Sequence, residues 1–351
     1  MQQQIRFCKS FDGTRIAYAA TGDGPPLVKA PHWLTHLEYE QQSPIWRPWL
    51  AGLARGRTLV RMDERGCGLA DRGVADISFE AFVRDLEAVV DAAGLERFAL
   101  FGHSQGGPIS IEYAVRHPER VTHLVLLGAY ELGRFKRDPE RREEFEAQLK
   151  LVEVGWGRDD PSYRQLFAGQ FMPGATLEQM RVMCELQRIS SHASDAVRIM
   201  RAAHEIDVSA SLPRVSCPTL VLHARGDLRV SYESGRSLAA RIPGARLVLL
   251  ESDNHILLEQ EPSFGHFFQE LDAFLPGASR SFDGLTAREG EILEHIAQGL
   301  DNAQIAARLE LSEKTVRNHI TRVFDKIGVE SRAQAIVLAR DRGLGHRSRP
   351  S

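Results

Sequence analysis

Residues 98–107 read Phe98-Ala-Leu-Phe-Gly-His-Ser-Gln-Gly-Gly107. An apolar, β-rich run leads into Gly102 and a helical run leaves Gly106, so Ser104 falls on a turn from strand to helix. G-x-S-x-G in that setting is a nucleophile elbow, whose small residues permit a sharp turn that exposes the Ser hydroxyl. A Ser hydroxyl alone is a poor nucleophile and needs an acid and a His elsewhere in the chain. Asp227, in His223-Ala-Arg-Gly-Asp227, follows the apolar run 219–223, and His255, in Ser252-Asp-Asn-His255, follows the run 246–250. Taken singly, each has a plainer reading as a surface residue or a helix cap. In the order Ser, Asp, His, each at the C-terminal end of a strand, they read as a set. Ser104 is then the nucleophile, His255 the general base and later acid, and Asp227 the group that orients the imidazole and stabilises its charged form.

Working outward, short β-rich runs at 27–30, 58–62, 98–101, 121–127, 219–223 and 246–250 alternate with helical stretches. Such alternation predicts an α/β fold with a doubly wound, mostly parallel sheet. Between 131 and 207 the strands stop and helical periodicity takes over, with Phe135, Phe145, Trp156, Phe167, Met183 and Met200 set among charges. This segment reads as a helical insertion lying over the sheet as a lid. A first domain therefore spans 1–275. Pro276-Gly-Ala-Ser279 has linker composition, giving a linker over 276–281.

Over 6–275 the chain resembles the α/β-hydrolase family. Asp63-Glu-Arg-Gly-Cys-Gly-Leu-Ala-Asp71 is similar to that family's D-x-R-G-x-G-x-S-D segment, with Ala70 where Ser is usual. It reads as a Gly-rich loop on the pocket rim, and it lacks the G-K-[ST] ending of a phosphate loop. The resemblance also implies an oxyanion hole formed by the backbone N–H groups of Trp33 and Gln105. Here Pro31-His32-Trp33 stands in place of the family's His-Gly-x, so His32 occupies a position where a glycine's permissive backbone is expected. An oxyanion donor contributes about 3 to 4 kcal/mol to the barrier, so a distorted hole would leave a triad that binds but barely turns over.

The remainder, 282–345, has helical periodicity only and resolves into four short helices, followed by a tail over 346–351. Thr286 with Glu289 forms a capping box for the first helix, and Gly299 ends it. Asn302 is read as capping the second, Ser312 the third (closed by Gly328) and Ser331 the fourth, which runs to about Arg342. In the third helix Val316, Ile320, Val323 and Ile327 recur at intervals of four, three and four and form one buried stripe. Lys314, Arg317, Asn318 and Thr321 then project from the other side. Arg bonds guanine bidentately and Asn bonds adenine, so Arg317, Asn318 and Thr321 suit a major-groove reading face. Lys314, Thr315, Arg322 and Lys326 are placed to hold phosphates of double-stranded DNA. The stretch LTAREGEILEHIAQGLDNAQIAARLELSEKTVRNHITRVFDKIGVESRAQAI, residues 285–336, resembles the LuxR-type (GerE-like) helix-turn-helix. A small helical bundle serving only protein contacts is the plainer alternative, and the tail's net charge of +1 is a mild point in its favour.

Composition sets the outer limits. The chain has 351 residues, 26% of them charged, and a formal net charge of -3, so a nucleic-acid face must be local. Four widely spaced cysteines, Cys8, Cys67, Cys184 and Cys217, show no zinc-finger spacing and read as reduced thiols. No run approaches the roughly 18 apolar residues of a membrane span, and the first residues lack a leader pattern, so a cytoplasmic protein without membrane contact is expected. No metal or cofactor is called for. Two functions follow. One is a transcriptional regulator, expected as a homodimer, whose hydrolase-like domain senses a small apolar or ester- or lactone-like ligand, with slow hydrolysis attached. The other is an esterase- or lipase-like hydrolase whose tail localises or regulates it.

Overall fold

The computed structural model describes residues 3–158, 162–275, 284–329, 331–341 and 344–345. The expected linker at 276–281, Arg342 and the tail at 346–351 lie outside the described residues. The chain divides into two compact units, Met1–Pro276 and Gly277–Ser351.

In the first unit, the described residues form one eight-stranded sheet: β1 Gln4–Lys9, β2 Arg15–Thr21, β3 Pro26–Lys29, β4 Thr58–Met62, β5 Phe98–His103, β6 Val121–Leu127, β7 Thr219–Ala224 and β8 Arg246–Leu250, in the order β1-β2-β4-β3-β5-β6-β7-β8. From β4 through β8 every pairing is parallel, whereas β1–β2 and β2–β4 are antiparallel. The doubly wound α/β expectation therefore holds, with an added N-terminal hairpin turning at Asp12-Gly13. Parallel strands are covered on both faces, which is why β7 is buried at every position. Helices Phe79–Ala92, Gly106–Arg116, Tyr232–Arg241 and Pro262–Phe274 supply the cover.

Between β6 and β7 the chain leaves the sheet for five helices, Arg134–Arg137, Arg142–Gly155, Ser162–Phe171, Leu177–Ser190 and Ala193–His204. A single bridge, Leu132 to Asp207, closes the neck of this insertion. It is flanked by Gly133 N–H donating to Ile206 O at 2.8 Å and Val208 N–H donating to Glu131 O at 3.0 Å.

The 63–71 segment departs from its reading as a pocket rim. Its buried Arg65 makes a bidentate pair with buried Asp85, at 2.7 and 2.6 Å, and donates to Asp12 at 2.9 Å. Asp63 accepts from Leu37 N–H and Leu69 N–H at 2.9 and 2.8 Å. Gly68 N–H reaches Ser190 O at 2.7 Å, and Ser191 Oγ donates to Gly66 O at 2.8 Å. The loop thus fastens the insertion to the sheet; Gly66 and Gly68 both take positive φ, and a Cβ on Gly68 would strike the Asp63 carboxylate.

The second unit has its own small core, with Ile292, Leu293, Ile296, Ile305, Val316, Val323, Ala335 and Ala339 fully buried. Its helices are Ala287–Ala297, Asn302–Leu309, Glu313–Ile327 and Arg332–Asp341. The Thr286–Glu289 capping box, the Ser312 cap and left-handed Gly328 occur as read. The second helix is capped one residue earlier than expected, by Asp301, because Gln304 completes a capping box with it. The Asn302 side chain instead accepts from Arg332 at 3.0 Å.

The buried Arg65–Asp85 pair yields a test of the first unit. Removing one partner of such a pair leaves the other charge buried, which costs about 3 to 5 kcal/mol. Asp85→Ala should lower the stability of the first unit by that amount in urea unfolding and leave the C-terminal unit unchanged. Arg65→Met combined with Asp85→Leu should recover most of the loss.

Candidate functional site

Ser104 sits directly after β5 with φ of 55°, in the left-handed region that non-glycine residues rarely occupy. The turn is possible because the residues two positions away on either side, Gly102 and Gly106, carry no side chain. A Cβ on Gly102 would come within 2.5 Å of Gly106 O, and one on Gly106 within 2.8 Å of Pro31 O. Asp227 follows β7 and His255 follows β8, so three separate strand ends deliver the three side chains to one edge of the sheet. A narrow cleft there is lined in part by His32, Trp33, Ser104, Phe171 and His255.

Asp227 is almost fully buried, yet all its bonding capacity is directed. Its Oδ1 accepts from the backbone N–H groups of Arg229 and Val230 at 2.7 and 2.9 Å, and its Oδ2 lies 2.6 Å from His255 Nδ1. Burial acts to raise its pKa, but the His255 ring, the His223 ring and the Val230 N–H hold it below its ordinary value. An ionised carboxylate only accepts, so His255 Nδ1 is the donor in this bond and Nε2 is the ring nitrogen turned away from Asp227. That Nε2 is buried and bonded to nothing among the described residues. The Ser104 hydroxyl likewise has no partner there, so the expected Ser–His hydrogen bond is not formed in this structure. Gly128, at φ 55°, makes room for this arrangement, since a Cβ on it would lie 2.9 Å from the His255 ring.

The His255 loop is tied to the insertion in a way the sequence did not reveal. The carbonyl of Phe171, last residue of the helix Ser162–Phe171, accepts from His255 N–H at 2.9 Å and Ile256 N–H at 3.1 Å. The Phe171 ring stacks on Trp33, 5.3 Å between centroids, and lies 5.6 Å from the His255 ring.

At the expected oxyanion hole, the concern about His32 is answered by the backbone. His32 does not need a positive φ; Leu34, two residues on, adopts it instead, at 60°. The His32 ring is buried, stacked on Trp46 at 4.5 Å, with Nδ1 3.0 Å from Trp33 O. Burial and then Lys29 push its pKa well down, so the ring is neutral. Trp33 and Gln105 line a cleft with Ser104, and neither backbone N–H has a partner among the described residues. Beneath Gln105, its side chain donates to buried Glu64 Oε1 at 2.5 Å, which gives the 63–71 loop a second role.

Beside Ser104 the cleft continues into a small cavity of about 40 Å³ that opens to solvent. Its wall combines Tyr130, Met200 and Val230 with Arg134, Arg137, Arg229 and His204. The expected lining was apolar; Phe145, Trp156 and Phe167 of the insertion are instead buried in the core it shares with the sheet, the last two against Trp33.

On the third helix of the C-terminal unit, Val316, Ile320 and Val323 are buried, while Lys314, Arg317, Asn318, Thr321 and Arg322 are exposed. Lys314, Arg317, Asn318 and Arg322 have no side-chain partner among the described residues. Thr315 completes the Ser312 cap, and Thr321 Oγ1 donates to Arg317 O at 3.2 Å. Lys326 departs from its phosphate reading: its Nζ bonds Glu289 Oε2 at 2.7 Å, so its charge is neutralised inside the module. That bond, with the Thr286 N–H, pulls the Glu289 carboxyl down to about 2.

A Ser, a His and an Asp converging on an elbow, above a mostly parallel sheet, define a serine-hydrolase-like class of fold. The chain belongs to the α/β hydrolase fold family, whose model matches residues 39–262, and it carries at residues 283–339 a domain of the bacterial regulatory proteins, luxR family. The latter is a regulatory DNA-binding helix-turn-helix. Over 219 residues the chain is 29% identical to a candidate carbamate hydrolase, RutD, of Pseudomonas savastanoi pv. phaseolicola, covering 61% of this chain and 82% of that protein. Among solved structures, a hydrolase from Pseudomonas aeruginosa superposes with a TM-score of 0.64 at 23% identity, over 78% of this chain and 98% of that one. The esterase EaEST from Exiguobacterium antarcticum gives 0.65 at 22%, over 76% and 98%. At these identities the structural likeness is one of fold. No helix of the described residues is long and apolar enough to cross a membrane.

On the third helix Lys326 is paired with Glu289, whereas Lys314 and Arg322 are exposed and unpaired among the described residues. Arg322→Ala or Lys314→Ala should reduce the salt dependence of DNA binding by about one unit of log–log slope while leaving the module's melting temperature in place. Lys326→Ala should do the reverse, lowering the melting temperature with little change in slope. Titrations at several salt concentrations, paired with thermal melts, measure both.

Proposed function

We propose that this protein is a transcriptional regulator whose hydrolase-fold unit senses a small molecule bound in the cleft at Ser104. The observation that carries the reading is the joint presence, in one chain, of that cleft and an exposed helix face whose Arg317 and Asn318 have no side-chain partner among the described residues. An enzyme needs no sequence-reading helix. The link between Phe171 and His255 supports a conformational readout, because a ligand touching the insertion also bears on the backbone that positions the imidazole. Two modules on a two-fold dimer would read an inverted repeat with half-sites about one helical turn apart, or a multiple of that.

A second reading, a serine hydrolase with an appended regulatory module, is favoured by the 2.6 Å His255–Asp227 pair and the unpartnered His255 Nε2. In it Ser104 attacks an acyl carbon, His255 takes and returns the proton, and the Trp33 and Gln105 N–H groups hold the oxyanion. The naming of RutD relatives points to carbamates as one acyl class to try. The open Ser–His contact fits slow turnover attached to sensing.

Mass spectrometry of compounds that co-purify with the full chain identifies the ligand, and DNA binding is then measured with and without it. Ser104→Ala should retain ligand binding and the DNA response while losing any hydrolysis of 4-nitrophenyl acetate. A variant that binds ligand normally but no longer alters DNA binding would mean that the signal is an acyl-enzyme. Wild-type turnover near the common median of roughly 10 per second would favour the hydrolase reading. On the DNA side, Arg317→Ala should cost about 1 to 3 kcal/mol at the cognate site and relax its base preference, whereas Arg322→Ala should weaken all sequences evenly. Equal small losses on specific and random DNA would remove Arg317 from the reading face.

A further inference from the structure

The geometry points to an anion subsite in the cleft beside Ser104: Arg134, Arg229 and His204 form a receptor for the oxyanion head of a small organic acid. The inference rests on the cleft being a ligand site, and it names the chemical class of that ligand.

Three guanidinium groups come together on this wall, from the start of the insertion and from the loop after β7. Arg137 is paired with the adjacent Asp138 at 2.9 Å. The other two meet only neutral partners. Arg134 donates to Gln148 Oε1 and to the carbonyl of Arg229, both at 3.2 Å. Arg229 donates to Gln170 Oε1 at 3.1 Å and lies over the Phe171 ring at 4.9 Å. Neither forms an ion pair among the described residues. Asp227, the nearby carboxylate, is already committed to His255 and two backbone N–H groups.

An uncompensated pair of partly buried cations is costly unless something balances it. The cost is visible in their acidities. Burial and then Arg229 and Arg137 push Arg134 down to about 8, and burial pushes Arg229 down to about 10. A guanidinium keeps its proton in proteins, so the shifts reflect burial first and, for Arg134, crowding by the neighbouring arginines.

His204 is the independent sign of a ligand. It is 97% withdrawn from solvent, being 3% exposed, it lines the same cleft, and neither of its ring nitrogens has a partner among the described residues. Burial and then the surrounding arginines push its pKa down to about 2, so the ring is neutral and offers one N–H donor and one acceptor. Buried imidazoles ordinarily find partners for both nitrogens. A carboxylate or phosphate lying between Arg134 and Arg229 would accept from both guanidinium groups and from the His204 N–H. Charge-assisted bonds of this kind are the strong ones. Met200, Ala203 and Val230 would cover the apolar body, whose other end faces Ser104.

The test uses the full chain and three probes with the same short body: pentanoate, butyl phosphate and pentanamide. Calorimetric titration of the wild type should give binding of at least one of the two anions and markedly weaker binding of the neutral amide; which anion binds better tells carboxylate from phosphate. Arg134→Gln combined with Arg229→Gln should weaken the anion by about tenfold or more, the loss that charge-assisted hydrogen bonds carry, and leave the amide unaffected. Arg225→Gln, at an exposed residue paired with Glu251, should change neither. Pentanamide binding as tightly as the anions, or no anion binding at millimolar concentration, overturns the subsite, and both readings need only the wild-type protein. If the anion binds through these arginines while DNA affinity stays the same, the subsite stands and it is the sensing reading that falls.

Discussion

At Ser104 the backbone turns through φ 55° between β5 and the helix beginning at Gly106, and the surroundings are arranged to tolerate that turn. Its position presents a hydroxyl at the sheet edge, where Asp227 and His255 arrive from the ends of β7 and β8. Backbone strain of this sort costs on the order of 1 to 3 kcal/mol and persists only where its surroundings over-determine it. Here they do so by close contact: Gly102, Gly106 and Gly107 each lie against atoms that a methyl group would strike. Arg65 and Asp85 then hold the neighbouring loop, and Glu64 reaches from that loop to Gln105, the residue after the serine.

The C-terminal unit solves a different problem with few residues. Its core is a narrow apolar stripe, so caps and one ion pair fix what packing alone would leave loose. Thr286 and Glu289 cap the first helix, and the same Glu289 holds Lys326 near the end of the third. Two helices are thereby joined through one carboxylate. On the opposite face of the third helix Lys314, Arg317, Asn318 and Arg322 have no side-chain partner among the described residues, as a surface that meets base edges and phosphates requires.

Much of this was legible in the sequence, for identifiable reasons. Thr58–Met62, Val121–Leu127 and Arg246–Leu250 are short, mostly apolar β-rich runs bounded by turn residues, and the strands coincide with them. The N-terminal hairpin went unread because β1 exposes Gln4, Arg6, Phe7 and Lys9 and so shows little apolar pattern, although Asp12-Gly13 was a turn signal in plain view. The Ser, Asp and His stood out because motif and order mark them. Arg134, Arg229 and His204 share no motif and are separated by tens of residues, so tertiary folding alone makes them neighbours. Lys326 was misjudged for a similar reason: helical periodicity gives a side chain's direction but not the carboxylate on another helix that it meets. His32 was judged by its place in a pattern, whereas the backbone shifted the left-handed residue to Leu34.

The insertion leaves and re-enters the sheet through one gate, the Leu132–Asp207 bridge with a backbone hydrogen bond on each side. Five helices hang from that gate without altering the register of β6 against β7. The insertion is nevertheless no detached lid: Ser190 and Ser191 tie it to the 63–71 loop and the Phe171 carbonyl holds the His255 and Ile256 N–H groups, so a change in its packing bears on the backbone that carries the imidazole.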